Sequence, residues 1–295
     1  MALTWPTPSL PILRSEDSPI GPINTAEEAW LTSLTFLGAV IASPIFSYIS
    51  QQHGRKIAGY ILVIPFIIGW LPFIFSNSIT FFYIGRFLVG VSSGAVVTVC
   101  PMYVGEISED RIRGTLGAAR SAIGCTMSLV VCAIGPLISI RAMALIGITV
   151  PFLFSFGFFW LPESPMFLMT AGKTKEAMEA MIWLRGGNET VAEEDIRKLS
   201  VIVEEGKANK VGIKDLISSP GTRRGLIICL VLAAAQQLSG VSPIMAYCVS
   251  LFESAGGAVS PNMAIIIANA TQLLGSIITF VLLDIAGRRI LLISS

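Results

Sequence analysis

An all-α, membrane-spanning fold is predicted by two properties of the sequence: its low content of charge and the regular recurrence of long apolar runs. Hydrophobic residues make up 53% of the 295 residues and charged residues only 13%, whereas about a quarter of the residues in a typical soluble domain are charged. Backbone groups in lipid must form hydrogen bonds within their own segment, so apolar runs of about 20 residues indicate helices. The charge-free runs are 29–52, 57–85, 87–105, 121–140, 142–162, 225–252 and 254–283.

The first element is a partial helix. Residues 1–13 are apolar, contain three prolines and are too short to cross a bilayer. We expect them to be the outer end of a first helix whose beginning lies outside this sequence. The pattern Thr25-x-x-Glu28 predicts a capping box that opens helix 2. The predicted spans are helix 2 at 30–50, helix 3 at 57–75, helix 4 at 80–104, helix 5 at 115–138, helix 6 at 142–161, helix 7 at 224–251 and helix 8 at 261–283.

A polar stretch separates helices 6 and 7. Helical periodicity over Thr174–Leu184 ends at Gly186-Gly187, and Thr190-x-x-Glu193 predicts the start of another helix that runs to Gly206. The alternative is an unstructured, solvated linker; the periodicity favours amphipathic helices. The sequence therefore predicts three parts: an N-terminal transmembrane half at 1–161, a helical linker at 162–223, and the start of a second transmembrane half at 224–295.

The distribution of charge predicts the orientation. With the turn at 50–57 placed inside, 16 of the 20 basic residues lie on one side, and the positive-inside rule makes that side cytoplasmic. We therefore expect a multi-pass protein of the plasma membrane with a cytoplasmic linker. The net charge of +1 gives no indication of nucleic-acid binding. All five cysteines fall within predicted spans, so no disulfide framework is expected.

Several motifs occur in a fixed order. A short basic turn, Gln51-x-x-Gly54-Arg55-Lys56, recurs as Asp284-x-x-Gly287-Arg288-Arg289, which suggests two related halves. Between them lie LVGVSSGAVVTVCPMYVGEISEDRIR at 88–113, PESP at 162–165 and QQLSG at 236–240. Together these motifs resemble the sugar-porter branch of the major facilitator superfamily. The run WPTPSLPILRSEDSPIG is similar to insect facilitated trehalose and hexose transporters. The resemblance implies a partial bundle, from about the end of helix 1 to helix 8.

The resemblance also implies a conformational latch at the cytoplasmic helix ends. Carboxylates and cations in these motifs can form charge-assisted pairs that hold helices 2–3 to helices 4–5 and break during transport. The alternative is that these charges only set the topology. Gln51 replaces an acid found in many relatives, and the expected partner of the second basic turn, near helix 10, lies outside this sequence. The predicted latch residues are Arg55, Lys56, Glu106, Arg113, Glu163, Asp284, Arg288 and Arg289.

Candidate substrate contacts lie on helix 7. Gln236 and Gln237 place two amides inside a span, where polar groups are expected to face a cavity, and amides match the hydroxyls of a neutral sugar. Polar contacts that only join helices are the alternative. The resemblance adds Ser121, Ser242 and Gln272 as substrate contacts and Tyr247 as an aromatic that occludes the site.

The predicted function is transport of a neutral sugar, trehalose or a hexose, by alternating access. A truncated, non-transporting membrane protein that acts as a sensor or regulatory partner is the alternative. An enzyme is disfavoured because the spans contain no histidine and no paired nucleophile and base. We therefore expect no catalytic residues, no metal and no cofactor; the expected partners are the sugar and the lipid bilayer, and the sequence indicates no protein partner.

Overall fold

The computed structural model describes residues 3–16, 18–109, 112–208, 220–240, 244, 251 and 263–278. Contacts between Cα atoms divide the chain into two compact units. One contains Met1–Pro162 with Ala246–Ser295, and the other contains Glu163–Met245. The predicted boundaries at 161/162 and 223/224 stay predictions.

The described part of the chain is built from helices. Five of the described segments are long and apolar enough to cross a membrane: Thr25–His53, Arg55–Phe75, Ile79–Ile107, Arg113–Leu137 and Ile140–Phe159. They correspond to predicted helices 2 to 6, and each observed end lies within five residues of the predicted end. The helices are α1 (Pro6–Arg14), α2 (Thr25–His53), α3 (Arg55–Ile61), α4 (Val63–Phe75), α5 (Ile79–Ile107), α6 (Arg113–Ile134), α7 (Ile140–Phe159), α8 (Pro165–Thr170), α9 (Thr174–Leu184), α10 (Glu189–Ala208), α11 (Pro220–Leu238) and α12 (Met263–Ile278).

The capping box of α2 differs from the prediction. The Asn24 side chain accepts the backbone N–H of Glu27 at 2.9 Å, and the Glu27 carboxylate accepts the N–H of Asn24 at 2.8 Å. The predicted pair, Thr25 with Glu28, is therefore wrong by one position. Glu28 instead accepts a 2.8 Å hydrogen bond from Nε of Arg14, and only 2% of Glu28 is exposed. A buried carboxylate is more strongly stabilised by this guanidinium than by a backbone amide.

Helices α2 and α5 pack with their backbones in close approach. A methyl group on Gly90 would overlap the carbonyl oxygen of Thr35, and one on Gly94 would overlap that of Ala39. Gly90 and Gly94 therefore form a small-residue seam between the two helices. The seam makes the α2–α5 pair a fixed part of the bundle, because even a small side chain there would push the helices apart.

A buried arginine lies inside the aromatic core of the first unit. Arg86 is 1% exposed; its Nε donates to the carbonyl of Leu31 at 2.9 Å, and its guanidinium lies 5.0 Å from the ring centre of Trp5. Phe73 packs against Trp5 at 4.9 Å and against Phe82 at 4.6 Å. The cation is thus stabilised by a carbonyl and an aromatic face within a span.

The linker forms a small helical unit with a core of its own. Leu168, Met181 and Ile196 are buried together between α8, α9 and α10. Positive φ values of 64° at Gly186 and 88° at Gly187 end α9 as predicted. The next helix is capped by Asn188, whose side chain accepts the N–H of Val191 at 3.3 Å, instead of by Thr190.

Helix α11 ends earlier than predicted helix 7. The helix stops at Leu238, and Gly240 has a φ of +73°, a conformation that glycine adopts without strain. Predicted helix 7 (224–251) is therefore not continuous, because the chain leaves helical geometry within its QQLSG motif.

Candidate functional site

One end of the bundle carries an ion pair between two predicted latch residues. Gly54, with a φ of +102°, ends α2 and allows α3 to start immediately at Arg55. This places an Arg55 Nη 2.7 Å from the Glu106 carboxylate at the end of α5, while the other Nη donates to the carbonyl of Ser50 at 3.0 Å. The side chains are 10% and 19% exposed, so the pair is only partly screened by solvent.

Lys56 binds the end of α7. Its Nζ donates to the carbonyl of Phe159 at 3.0 Å and to that of Leu161 at 2.6 Å. The carbonyls at a helix C-terminus have no intrahelical partners and carry partial negative charge, so they attract a cation. The sequence identified Lys56 as a latch residue and did not identify these acceptors, because backbone carbonyls leave no signal in the sequence.

Tyr103, which belongs to the motif at 88–113, also lies at this end of the bundle. The sequence indicated no role for it. Its hydroxyl donates to the carbonyl of Pro162 at 2.7 Å, and its ring packs edge-on against Phe158 at 5.3 Å. Arg55, Lys56, Glu106 and Tyr103 therefore join the α2–α3 turn, the end of α5 and the end of α7. We call these four residues the rim cluster.

The structure describes two of the other predicted latch residues, Arg113 and Glu163. Arg113 is exposed at the first position of α6. Glu163 belongs to the second unit, where its carboxylate accepts the N–H of Ser164 at 2.8 Å. Ser164 caps α8 by accepting the N–H of Phe167 at 3.3 Å. Asp284, Arg288 and Arg289 lie outside the described residues.

The predicted substrate contacts are distributed over both units. Gln236 and Gln237 are exposed in the last turn of α11, directly before the break at Gly240. In the first unit, Ser121 is exposed on α6 and Gln272 is exposed on α12. Ser242 and Tyr247 lie outside the described residues.

A network of hydrogen-bonded polar side chains joins three segments of the first unit. It was not predicted from the sequence. Asn269 on α12 is 5% exposed. Its Oδ1 accepts from the Ser128 hydroxyl at 2.7 Å, and its Nδ2 lies 3.5 Å from Cys132 Sγ and 3.0 Å from the carbonyl of Ile265. The Thr4 hydroxyl lies 3.0 Å from that of Ser128. An asparagine in the middle of an apolar run was the only signal of this contact.

The described residues contain no group of three or more His, Cys, Asp or Glu side chains suited to a metal. The charged groups of the rim cluster form an ion pair and helix-end contacts. Such an arrangement can hold helix ends together and release them.

The sequence matches the family described as Sugar (and other) transporter over residues 13–295. A facilitated trehalose transporter, Tret1, from Polypedilum vanderplanki is 30% identical over 99% of the chain and 58% of that relative. Facilitated glucose transporter member 6 of solute carrier family 2 from Homo sapiens is 28% identical over 100% of the chain and 57% of that relative. The chain thus spans about half the length of the curated relatives it matches.

The fold is also similar to solved structures. The xylose transporter XylE from E. coli, in a partially occluded inward-open conformation, superimposes with a TM-score of 0.76 at 18% identity, covering 97% of the chain and 70% of XylE. A second structure, described as a major facilitator superfamily proton:xylose symporter, superimposes with a TM-score of 0.74. The expected fold, a partial major-facilitator bundle, is confirmed.

Proposed function

The chain belongs to the sugar (and other) transporter family, and on that premise we propose that the protein carries a neutral sugar, trehalose or a hexose, across the membrane by alternating access. It is a multi-pass membrane protein, and its curated relatives include trehalose and glucose transporters. Binding near mid-membrane, with one half-bundle moving against the other, is the mechanism that transporters with repeated halves generally use.

The observation that carries this proposal is the position of Gln236 and Gln237. They are adjacent amides in an apolar helix, and that helix ends one residue later, before the positive φ of Gly240. Substrate sites in transporters are typically formed where a transmembrane helix is interrupted. Amides can donate to and accept from sugar hydroxyls without introducing charge. Ser121, Ser242 and Gln272 complete the proposed contacts, and Tyr247 is the proposed occluding aromatic.

The rim cluster is the proposed latch of the N-terminal half. Its non-covalent contacts join the α2–α3 turn to the ends of α5 and α7. They are the Arg55–Glu106 pair at 2.7 Å and the two hydrogen bonds from Lys56. A coupling free energy of about 1–3 kcal/mol is enough to shift a conformational equilibrium and small enough to be overcome in each cycle. Arg113, Glu163, Asp284, Arg288 and Arg289 are proposed members of the same latch system.

The proposed location is the plasma membrane, with the rim cluster and the linker in the cytoplasm. Support comes from the placement of 16 of 20 basic residues on one side of the predicted spans. The exposed surfaces of α9 and α10 carry charged residues such as Lys175 and Arg197, as expected for helices in contact with water.

Sugar uptake tests the proposal. Because the chain spans 58% of its Polypedilum vanderplanki relative, the assay uses a chimaera in which residues 1–295 are joined to that relative's remaining segments. Cells that express the chimaera should take up labelled trehalose or glucose saturably, with competition by the unlabelled sugar. No saturable uptake of any neutral mono- or disaccharide, despite surface expression, would contradict the proposal.

A further inference from the structure

We infer that the hydrogen bond between Ser128 and Asn269 is a reversible gate that closes the sugar site on the side opposite to the rim cluster, with Asn269 as its positioning residue. This inference rests on the proposed transport function and on the proposed positions of the sugar. The gate comprises Thr4, Ser128, Cys132 and Asn269, and we call these residues the polar clasp.

The polar clasp has a defined donor order. Asn269 Oδ1 can only accept, so the Ser128 hydroxyl donates its proton to it at 2.7 Å. The proton of the 3.0 Å contact between Thr4 and Ser128 must then come from Thr4. Asn269 Nδ2 in turn donates to Cys132 and to the carbonyl of Ile265. Thr4 therefore donates to Ser128, and Ser128 donates to Asn269. These hydrogen bonds join the segment before α1, helix α6 and helix α12.

The clasp is positioned to close over the proposed sugar contacts. Ser128 follows Ser121 by seven residues, two turns along the same face of α6, which is a displacement of about 10 Å. Asn269 precedes Gln272 by three residues on α12, which places both on one side of the helix. Cys132, late in α6, packs against Ile265, early in α12, so the two helices run in opposite directions. Both clasp residues thus lie beyond the sugar contacts in the same direction.

The contact between α6 and α12 has the features of one that can open. Among the described residues, the buried apolar cluster of this contact contains Ile265 and the clasp residue Cys132, with Ala268 packed against them. Among the described residues of α12, Ile267 is 53% exposed and Leu274 is 60% exposed. Such a small contact differs from the α2–α5 seam, where the helix backbones interlock at glycines.

When the clasp opens, the Ser128 hydroxyl and Asn269 Nδ2 can both keep a hydrogen bond within their own helices. A serine hydroxyl in a helix can turn to the carbonyl four residues earlier, as Thr126 and Thr271 do at 2.9 Å. For Ser128 this acceptor would be the carbonyl of Gly124. Asn269 Nδ2 keeps its bond to the carbonyl of Ile265, which belongs to its own helix. Since the clasp side chains are neutral, separation exposes no charge to lipid.

Cross-linking tests whether the contact forms and whether it must open. In the chimaera, Asn269→Cys should form an oxidant-dependent cross-link with the native Cys132, detected after cleavage at a protease site placed in the linker. Thr271→Cys, at an exposed position of the same helix, should not. The cross-link should abolish transport until it is reduced. Failure to cross-link, or full transport in the cross-linked protein, would overturn the inference.

Substitution tests the direction of the gate. Asn269→Leu should favour the state open on the clasp side, so that the KM for sugar entry falls and the KM for exit rises, each by about threefold, the effect of one interhelical hydrogen bond in a bilayer. Ser128→Ala should act in the same direction, and the double variant should add nothing further. Thr126→Val and Thr271→Val, which lose only hydrogen bonds within their own helices, should change neither KM.

A labelling rate separates the gate from the transport function. A thiol introduced by Ser121→Cys should react about threefold faster with an impermeant reagent from outside when Asn269→Leu is also present. This readout does not require sugar transport. If the unmodified chimaera takes up no sugar, the proposed function fails, and the labelling rate still tests the gate. Unchanged KM values with an unchanged labelling rate would reduce the clasp to a structural contact and overturn the inference.

Discussion

Arg55 and Glu106 are separated by 51 positions in the sequence, and their side chains meet at 2.7 Å where α3 begins and α5 ends. The guanidinium also donates to the carbonyl of Ser50 at the end of α2. This one side chain therefore connects three helix ends. Because both members of the pair are more than four-fifths buried, the interaction is less screened than a surface ion pair.

Removing either partner of this pair should impair transport more than removing both. In the chimaera, Arg55→Ala and Glu106→Ala should each lower the maximal uptake rate, because each breaks the 2.7 Å ion pair and leaves the other charge partly buried. The double variant should recover part of the rate, with a coupling free energy of about 1–3 kcal/mol. Initial uptake rates, normalised to the amount of protein at the surface, measure this.

An exposed ion pair in the linker provides the matched control. Glu194 and Lys198 lie one turn apart on α10 at 2.7 Å, and the hydrogen bond from Lys198 lowers the pKa of the Glu194 carboxyl. Both side chains are more than half exposed, so the same double-mutant cycle should show no measurable coupling. Additive effects of Arg55→Ala and Glu106→Ala on uptake would argue against a latch.

Gln237→Ala should raise the KM for sugar about tenfold. The substitution removes an amide that can form one or two hydrogen bonds with the substrate, each worth about 0.5–1.5 kcal/mol. Concentration-dependent uptake by the chimaera gives the KM. Gln51→Ala provides the same change of side chain at the exposed end of α2, and Met166→Arg changes the linker. Neither should alter the KM, and an unchanged KM for Gln237→Ala would remove α11 from the binding site.

The orientation can be tested by labelling introduced thiols with an impermeant reagent. Cysteines substituted for Lys175 and Arg197, both exposed on linker helices, should react only after the cells are permeabilised. A cysteine substituted for Glu16, exposed between α1 and α2, should react in intact cells. This pattern follows from the positive-inside rule; the reverse pattern would invert the proposed topology.

Gly90→Ala should destabilise the bundle by about 1–3 kcal/mol, because the added methyl group overlaps the Thr35 carbonyl and must push α2 away from α5. The thermal midpoint of the purified protein in detergent should fall accordingly. Gly124→Ala is the control: a methyl group there meets no atom within 4 Å, and alanine is favoured over glycine in a helix. Equal midpoints for the two variants would show that the seam tolerates a side chain.

The sequence by itself determined the spans of helices 2 to 6, the linker helices and the family. A span depends on the length and polarity of one continuous segment, so the absence of charge over 29–52 or 142–162 is sufficient to predict a helix. The turn at Gly186-Gly187 and the cap at Ser164 are also local, because each residue acts on its immediate neighbours. The family was evident from motifs whose order and spacing are visible without a structure.

Only the tertiary structure decided which partner each polar group takes. Glu28 could have capped its own helix, yet it pairs with Arg14; Lys56 binds helix-end carbonyls 103 and 105 positions away; and Asn269 finds Ser128 across 141 positions. Each choice depends on how closely segments distant in sequence approach one another. A hydrogen bond requires its two atoms to lie within about 3 Å, and only the packing of the helices sets that distance.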